Sequence, residues 1–152
     1  MKHLIIILAL TWPWLASAQD VRFRGTSDSV NWITLPSGYF WEEHQGIDSF
    51  PGKIFATNGV TINFDLLLMA GAYLTPNQSN TCVWYKEETT DFGILMRSAL
   101  VTSNKVLITF PQSFANFWCD FTEQRSAEIT LSIVRSFNPS NFVIHLENRG
   151  KK

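Results

Sequence analysis

Asn58-Gly59 stands between two short runs, Lys53 to Ala56 and Val60 to Phe64. An Asn-Gly pair tolerates the positive φ angles of a two-residue hairpin turn, so it predicts an antiparallel hairpin here. In the return run Val60, Ile62 and Phe64 share one face, while Thr61, Asn63 and Asp65 share the other. That is the pattern of a sheet with one face in the core and one toward water.

The same reading extends along the chain. Val21 to Arg24 alternates apolar and basic, and Gly25 to Ser29 is a loop by composition. Val30 to Leu35 reads as a strand, Pro36-Ser37-Gly38 as a turn, and Tyr39-Phe40-Trp41 as renewed extended structure. Cys82 to Lys86, Phe92 to Leu100 and Val106 to Phe110 read as further strands, the last ended by Pro111. Asn116 to Phe121 is rich in aromatic residues, and Leu66 to Leu74 suits a buried strand or a buried helix equally. Glu123 to Phe137 is the helix candidate: Thr122 can cap it, and Ala127, Ile129, Leu131, Ile133, Val134 and Phe137 fall on one broad arc. Asn138-Pro139 supplies a stop, and Phe142 to Leu146 reads as a last short strand. The expected fold is α+β: an antiparallel, strand-dominated sheet with one amphipathic helix packed near the C-terminus.

Residues 1–18 carry a different signal. Lys2 and His3 precede an apolar run from Leu4 to Ala16, interrupted only by Thr11 and Pro13, and Ala16-Ser17-Ala18 follows. A basic start, a core of about 7–15 apolar residues and an A-x-A site describe a cleaved secretory signal peptide. The run is shorter than the roughly 18 apolar residues of a membrane span. Cleavage is expected after Ala18, leaving residues 19–152 as a single exported domain, periplasmic or secreted. No Cys follows the cut, so no lipid anchor is expected on the new N-terminus.

Without Lys2 the domain carries eleven basic against thirteen acidic residues, well mixed along the chain. Only Arg149, Lys151 and Lys152 cluster, at a terminus that reads as a frayed, solvated end. A phosphate backbone needs a basic stripe, so nucleic acid is excluded as the expected partner. Cys82 and Cys119 are the only cysteines. In an exported chain they most simply pair, and closing a loop of about 38 residues would contribute on the order of 4 kcal/mol. Without a CxxC motif, and with only His44 and His145 beyond the leader, they do not make a zinc site.

Signatures of catalysis are missing: the chain has no GxSxG, HExxH, P-loop or GxGxxG motif. One stretch stands out, Glu42-Glu43-His44 followed by Gly46-Ile47-Asp48-Ser49-Phe50-Pro51-Gly52. An imidazole beside carboxylates suits acid–base work or binding, and Asp65 could join it if the hairpin folds back. The plainer reading makes Glu42 to Gln45 a solvated edge, with Asp48 and Ser49 bonding backbone groups in a Gly/Pro-shaped loop. Trp32, Trp41, Trp84 and Trp118 can each serve the core or an exposed stacking surface; Tyr39-Phe40-Trp41 must put at least one ring on the non-core face. Asn77-Gln78-Ser79 matches the N-glycosylation pattern, whereas Pro139 excludes Asn138.

Scattered pieces over residues 35–86 resemble a group of small, uncharacterised exported bacterial proteins. The pieces are Leu35-Pro36-Ser37-Gly38-Tyr39, Gly46-Ile47-Asp48-Ser49, Gly52-Lys53-Ile54, Phe64-Asp65, Met69-Ala70-Gly71 and Trp84-Tyr85-Lys86. The resemblance implies a bacterial envelope or secreted protein and brings no activity or catalytic residue with it. The leading expectation is therefore a non-enzymatic binding or interaction module of the bacterial envelope. Its binding face would comprise Tyr39, Trp41, His44 and Asp48, and its partner would be a protein or envelope component. It is expected as a monomer with no cofactor and no metal. Two alternatives stay open: a small hydrolase or metal-assisted enzyme using His44, Asp48 and Asp65, and an inhibitor or immunity-type protein.

Overall fold

Alternating faces organise the chain into paired strands. The computed structural model describes residues 21–57, 59–66 and 73–149; the leader, and most of the ambiguous 66–74 segment, lie outside the described residues. The strands are β1 (Val21–Thr26), β2 (Tyr39–His44), β3 (Phe50–Ala56), β4 (Ile62–Leu66), β5 (Trp84–Thr89), β6 (Leu95–Thr102), β7 (Lys105–Phe110) and β8 (Ala115–Asp120). Helices α1 (Gln124–Val134) and α2 (Pro139–Arg149) follow. The strands form one antiparallel sheet in the order β1-β2-β3-β4-β8-β7-β6-β5. Two four-stranded meanders thus meet along a single seam, β4 against β8, where Phe64 faces Phe117 and Leu66 faces Ala115. The architecture is the expected strand-dominated α+β fold. The hairpin expected around Asn58-Gly59 is β3–β4, but Ile54 stands opposite Ile62 and Gly59 does not take a positive φ, so the turn is wider than the two-residue form.

One face of the sheet is apolar. Trp41, Ile54, Ile62, Phe64, Leu66, Val106, Ile108, Phe110, Phe117 and Cys119 are buried there. Both helices cover this face, α1 through Ala127, Ile133 and Val134, α2 through Phe142, with Phe137 between them. At the far edge, the Nε of Arg135 donates to Glu88 Oε1 at 2.6 Å and ties the end of α1 to β5.

The expected strand at Val30 to Leu35 is instead a loop, and it wedges between helices and sheet. The Asn138 amide donates to the Trp32 carbonyl at 2.7 Å, the Thr34 amide to Ser136 Oγ at 2.8 Å, and Asn141 Nδ2 to the Asn31 carbonyl at 3.0 Å. With its backbone bonded to the α1–α2 junction, the segment buries Trp32, Ile33 and Leu35 together rather than alternately. Phe142 to Leu146 is likewise not a strand but part of α2. Asn138 caps that helix, its Oδ1 accepting from the Asn141 amide at 3.2 Å, and Pro139 takes the first helical position, where a missing N–H costs nothing. The Asn-Pro pair that stops one helix starts the next.

The expected Cys82–Cys119 bridge is absent, and both thiols are free. Cys119 faces the core on β8, opposite Val106 of β7, which lies beside Leu100 of β6, opposite Trp84 of β5. Trp84, two residues after Cys82, thus lies about three strand spacings, roughly 14 Å, from Cys119 across the sheet. A disulfide tolerates a Cα separation of only about 7 Å. Burial pushes the Cys119 thiol up, and Asp120 adds to this, against a hydrogen bond from Thr130. Among the described residues no helix is long and apolar enough to cross a membrane.

Two outcomes follow from this packing. In native protein, an alkylating reagent should label Cys82 alone; both cysteines should react in denaturant, and reductant should leave the melting temperature unchanged. A mass two hydrogens below the reduced chain would contradict this. Gly52 lies where a Cβ would overlap the Glu42 carbonyl oxygen and the Phe64 ring. Gly52→Ala should accordingly cost about 1–3 kcal/mol in urea denaturation, the range for overpacked sites.

Candidate functional site

The first meander carries a charged cluster on the face away from the helices. Alternation along β2 sends Tyr39, Trp41 and Glu43 to the helix-covered side and Phe40, Glu42 and His44 to the open side. Register then sets the neighbours: Glu42 lies between Arg24 of β1 and Lys53 of β3, and Phe40 lies beside Phe55. Glu42 is only 5 % exposed although it sits on the open face, because these side chains fold over it. Its Oε1 accepts from Lys53 Nζ at 2.8 Å and from His44 Nε2 at 3.1 Å, and its Oε2 from Arg24 at 3.3 Å. Ionised carboxylates only accept, so the Nε2 of His44 carries the hydrogen in this contact.

Burial pushes the Glu42 carboxyl up, but hydrogen bonds from Lys53 and His44, with their charges, more than offset it and hold the group below the ordinary glutamate value of 4.5. Glu42 is therefore a fixed anion near neutral pH, with both oxygens engaged, and is no general base. Its cationic partners retain contact with water. Arg24 and Lys53 stand over the Phe55 ring at 5.7 and 5.2 Å from its centroid, and the Phe40 ring lies 5.9 Å from Phe55. Two cations flanking a half-buried ring make a surface that attracts acidic and planar groups.

The second meander's share of the open face is partly roofed by the chain that connects β4 to β5. The Tyr73 amide donates to Asn116 Oδ1 at 3.0 Å, and the Leu74 amide donates to Thr109 Oγ1 at 3.1 Å. Leu74 is buried by this crossing. The Tyr73 hydroxyl donates to Asp65 Oδ2 at 2.8 Å; burial first, then the Asp65 carboxylate, pushes the phenol up to about 12.

The residues expected to form one binding face are not brought together. Trp41 is a core residue, 1 % exposed, its ring 5.4 Å from Trp32. The exposed ring of the Tyr39-Phe40-Trp41 triplet is Phe40. Tyr39 points under the sheet toward the β3–β4 turn, where its hydroxyl would lie 3.1 Å from a Cβ on Gly59. His44 belongs to the Glu42 cluster. Asp48 is exposed in the β2–β3 turn and bonds no side chain among the described residues, while its neighbour Ile47 is 99 % exposed. Gly46 shapes that turn, since a Cβ there would overlap the Ser49 carbonyl. The His44, Asp48 and Asp65 set does not converge either. His44 bonds Glu42, Asp65 bonds Tyr73, and register puts the two about 10 Å apart across β3. Among the described residues no three His, Cys, Asp or Glu side chains are grouped to hold a metal.

Arg24, Lys53, Phe40 and Phe55 carried no signal as a motif. Alternation in β2 and β3 could have placed Phe40, Glu42, His44, Lys53 and Phe55 on one face, but pairing them across strands needs the register.

A depressed carboxyl stabilises the fold above its unfolded value, and that contribution is lost as pH falls through the lower folded value. Wild-type protein should thus lose stability below about pH 4.5 more steeply than Glu42→Gln. At pH 7 the substitution should cost about 1–3 kcal/mol, because it leaves the Lys53 ammonium without its counterion while Arg24 remains solvent-screened. Urea unfolding at pH 7 and pH 3.5 measures both; equal acid losses in the two proteins would refute the assignment. Comparisons with protein-family models, curated proteins and solved structures find no match.

Proposed function

We propose that this chain is an exported, non-enzymatic binding module of the bacterial envelope that takes an acidic, extended segment of a partner protein along strand β1. The observation that carries the reading is the pair of cations flanking Phe55, Arg24 and Lys53, beside the outer edge of the sheet. Among the described residues β2 is the one strand neighbour of β1, so β1 stands at an edge of the sheet that an added strand could extend. Arg24 lies on the strand itself. Glu42 neutralises one charge of the cluster, and the surplus is positive. A strand added to β1 with alternating Asp or Glu would meet this surplus, which supplies specificity, while the main chain supplies affinity. At the opposite edge β5 mixes Lys86, Glu87 and Glu88, a pattern that discourages strand addition.

The leader Met1–Ala18 supports export, and the resemblance over residues 35–86 supports an envelope setting. An inhibitor or immunity-type role would use the same surface on a partner enzyme.

Fluorescence anisotropy with labelled decapeptides tests the reading, one alternating Glu and Val, its counterpart alternating Lys and Val. The acidic peptide should bind saturably, more weakly as salt rises, and Arg24→Glu should weaken it at least tenfold. Arg24 is largely exposed, so Arg24→Glu and the milder Arg24→Gln should both fold. Equal binding of the two peptides, or indifference to Arg24→Glu, would overturn the proposal.

A further inference from the structure

His44 stands at the end of β2 on the open face, two residues from Glu42, and its side chain is 14 % exposed. Its Nε2 donates to Glu42 Oε1 at 3.1 Å, the oxygen that also accepts from Lys53 Nζ at 2.8 Å. With the Nε2 hydrogen in place, Nδ1 is the atom that can take a further proton. Taking it breaks no bond: the contact to Glu42 persists and becomes charge-assisted. The imidazole is thus held in one place in both charge states, while its edge keeps contact with water.

Among the described residues the charged groups around His44 come from several elements. Glu42 shares its strand, Arg24 comes from β1 and Lys53 from β3. Asp48 lies exposed in the β2–β3 turn, and Asp65 stands about 10 Å away on β4. Arg24, Lys53 and Glu42 together leave one positive charge beside the edge of the sheet, and a proton on His44 doubles it. A strand added at β1 would run two strand spacings, roughly 10 Å, from β2. That distance is comparable with the Debye length at about 0.1 M salt, so the added charge is felt there.

We infer that His44 tunes strand addition at β1: its protonation, in the range of about pH 8 to 5 where histidines change charge, strengthens the hold on an acidic segment. The inference rests on the strand-addition reading and names the regulation of that surface. Two unit charges about 10 Å apart near a protein surface change an affinity by about two- to fivefold, which adjusts binding without creating it. Linkage is reciprocal, so a bound acidic segment raises the proton affinity of His44 by the same factor.

Anisotropy titrations of the alternating Glu and Val decapeptide, in steps from about pH 8 to about pH 5.5, test the inference over a range in which free glutamate stays ionised. The affinity of the wild-type protein should rise about two- to fivefold as pH falls. That of His44→Gln should stay flat, because glutamine keeps an N–H for Glu42 and does not titrate. NMR gives a second reading that needs no variant. The C2 proton of His44 should titrate, and saturating peptide should move its midpoint up by about 0.3–0.7 pH unit, the same factor. His145, on the helix-covered side against Trp41, is the internal reference and should not respond to peptide. Peptide binding independent of pH, an equal pH dependence in His44→Gln, or a His44 signal indifferent to peptide would each overturn the inference and leave strand addition standing. Failure of the peptide to bind at any pH would overturn strand addition itself, and the regulation with it.

Discussion

Trp32 holds the two layers of this protein together. It sits in a loop, not in the sheet, and its ring meets Trp41, Phe64, Phe137 and Phe142 edge-on, with centroids 5.0 to 6.1 Å away. Those four rings come from β2, β4, the α1–α2 junction and α2, so a single side chain contacts both the sheet and the helical layer. The Trp32 Nε1 has no acceptor among the described residues, a cost of about 1–3 kcal/mol. Edge-on aromatic contacts contribute about 0.5–1.5 kcal/mol each beyond area burial, so four of them outweigh that cost. The backbone bonds from Asn31, Trp32 and Thr34 to the helix junction fix the loop in place, and the position of both helices follows from it.

The fold was legible where one strand's own alternation decided it. Val60, Ile62 and Phe64, or Val106, Ile108 and Phe110, are apolar at every second position, and all of them are buried. Misreadings came where a local pattern had two physical origins. Trp32, Ile33 and Leu35 look like strand residues because they are large and apolar, but the backbone around them is satisfied by helix-junction groups more than a hundred residues away. Phe142 to Leu146 carries a strand-like composition, and the cap supplied by Asn138 with Pro139 overrides it. The cysteines show a different failure. Their separation along the chain says nothing of how many strands stand between them, and that number forbids the bond.

The Glu42 cluster illustrates the same limit at the level of chemistry. Glu42 and His44 were visible as neighbours two apart, hence on one face of a strand. Arg24 and Lys53 were not, because cross-strand partners appear only when two registers are fixed at once. Gly46 in the β2–β3 turn and Gly52 in β3 both serve close backbone approach, whereas Ile47 and Asp48 between them are left in water.

The seam between β4 and β8 has a consequence for the order of assembly. β4 ends at Leu66 and its partner begins at Ala115, so the first meander keeps an unpaired edge until nearly fifty further residues have been made. Trp32 waits longer still, since Phe137 and Phe142 arrive last. A ribosome delivering this chain from its N-terminus therefore emits the first meander before its partner strand β8 and before α2. Long-range closure of this kind is slow, because loop entropy is lost before the contacts form. Closure of the seam and of the core around Trp32 therefore draws on residues far apart in the sequence.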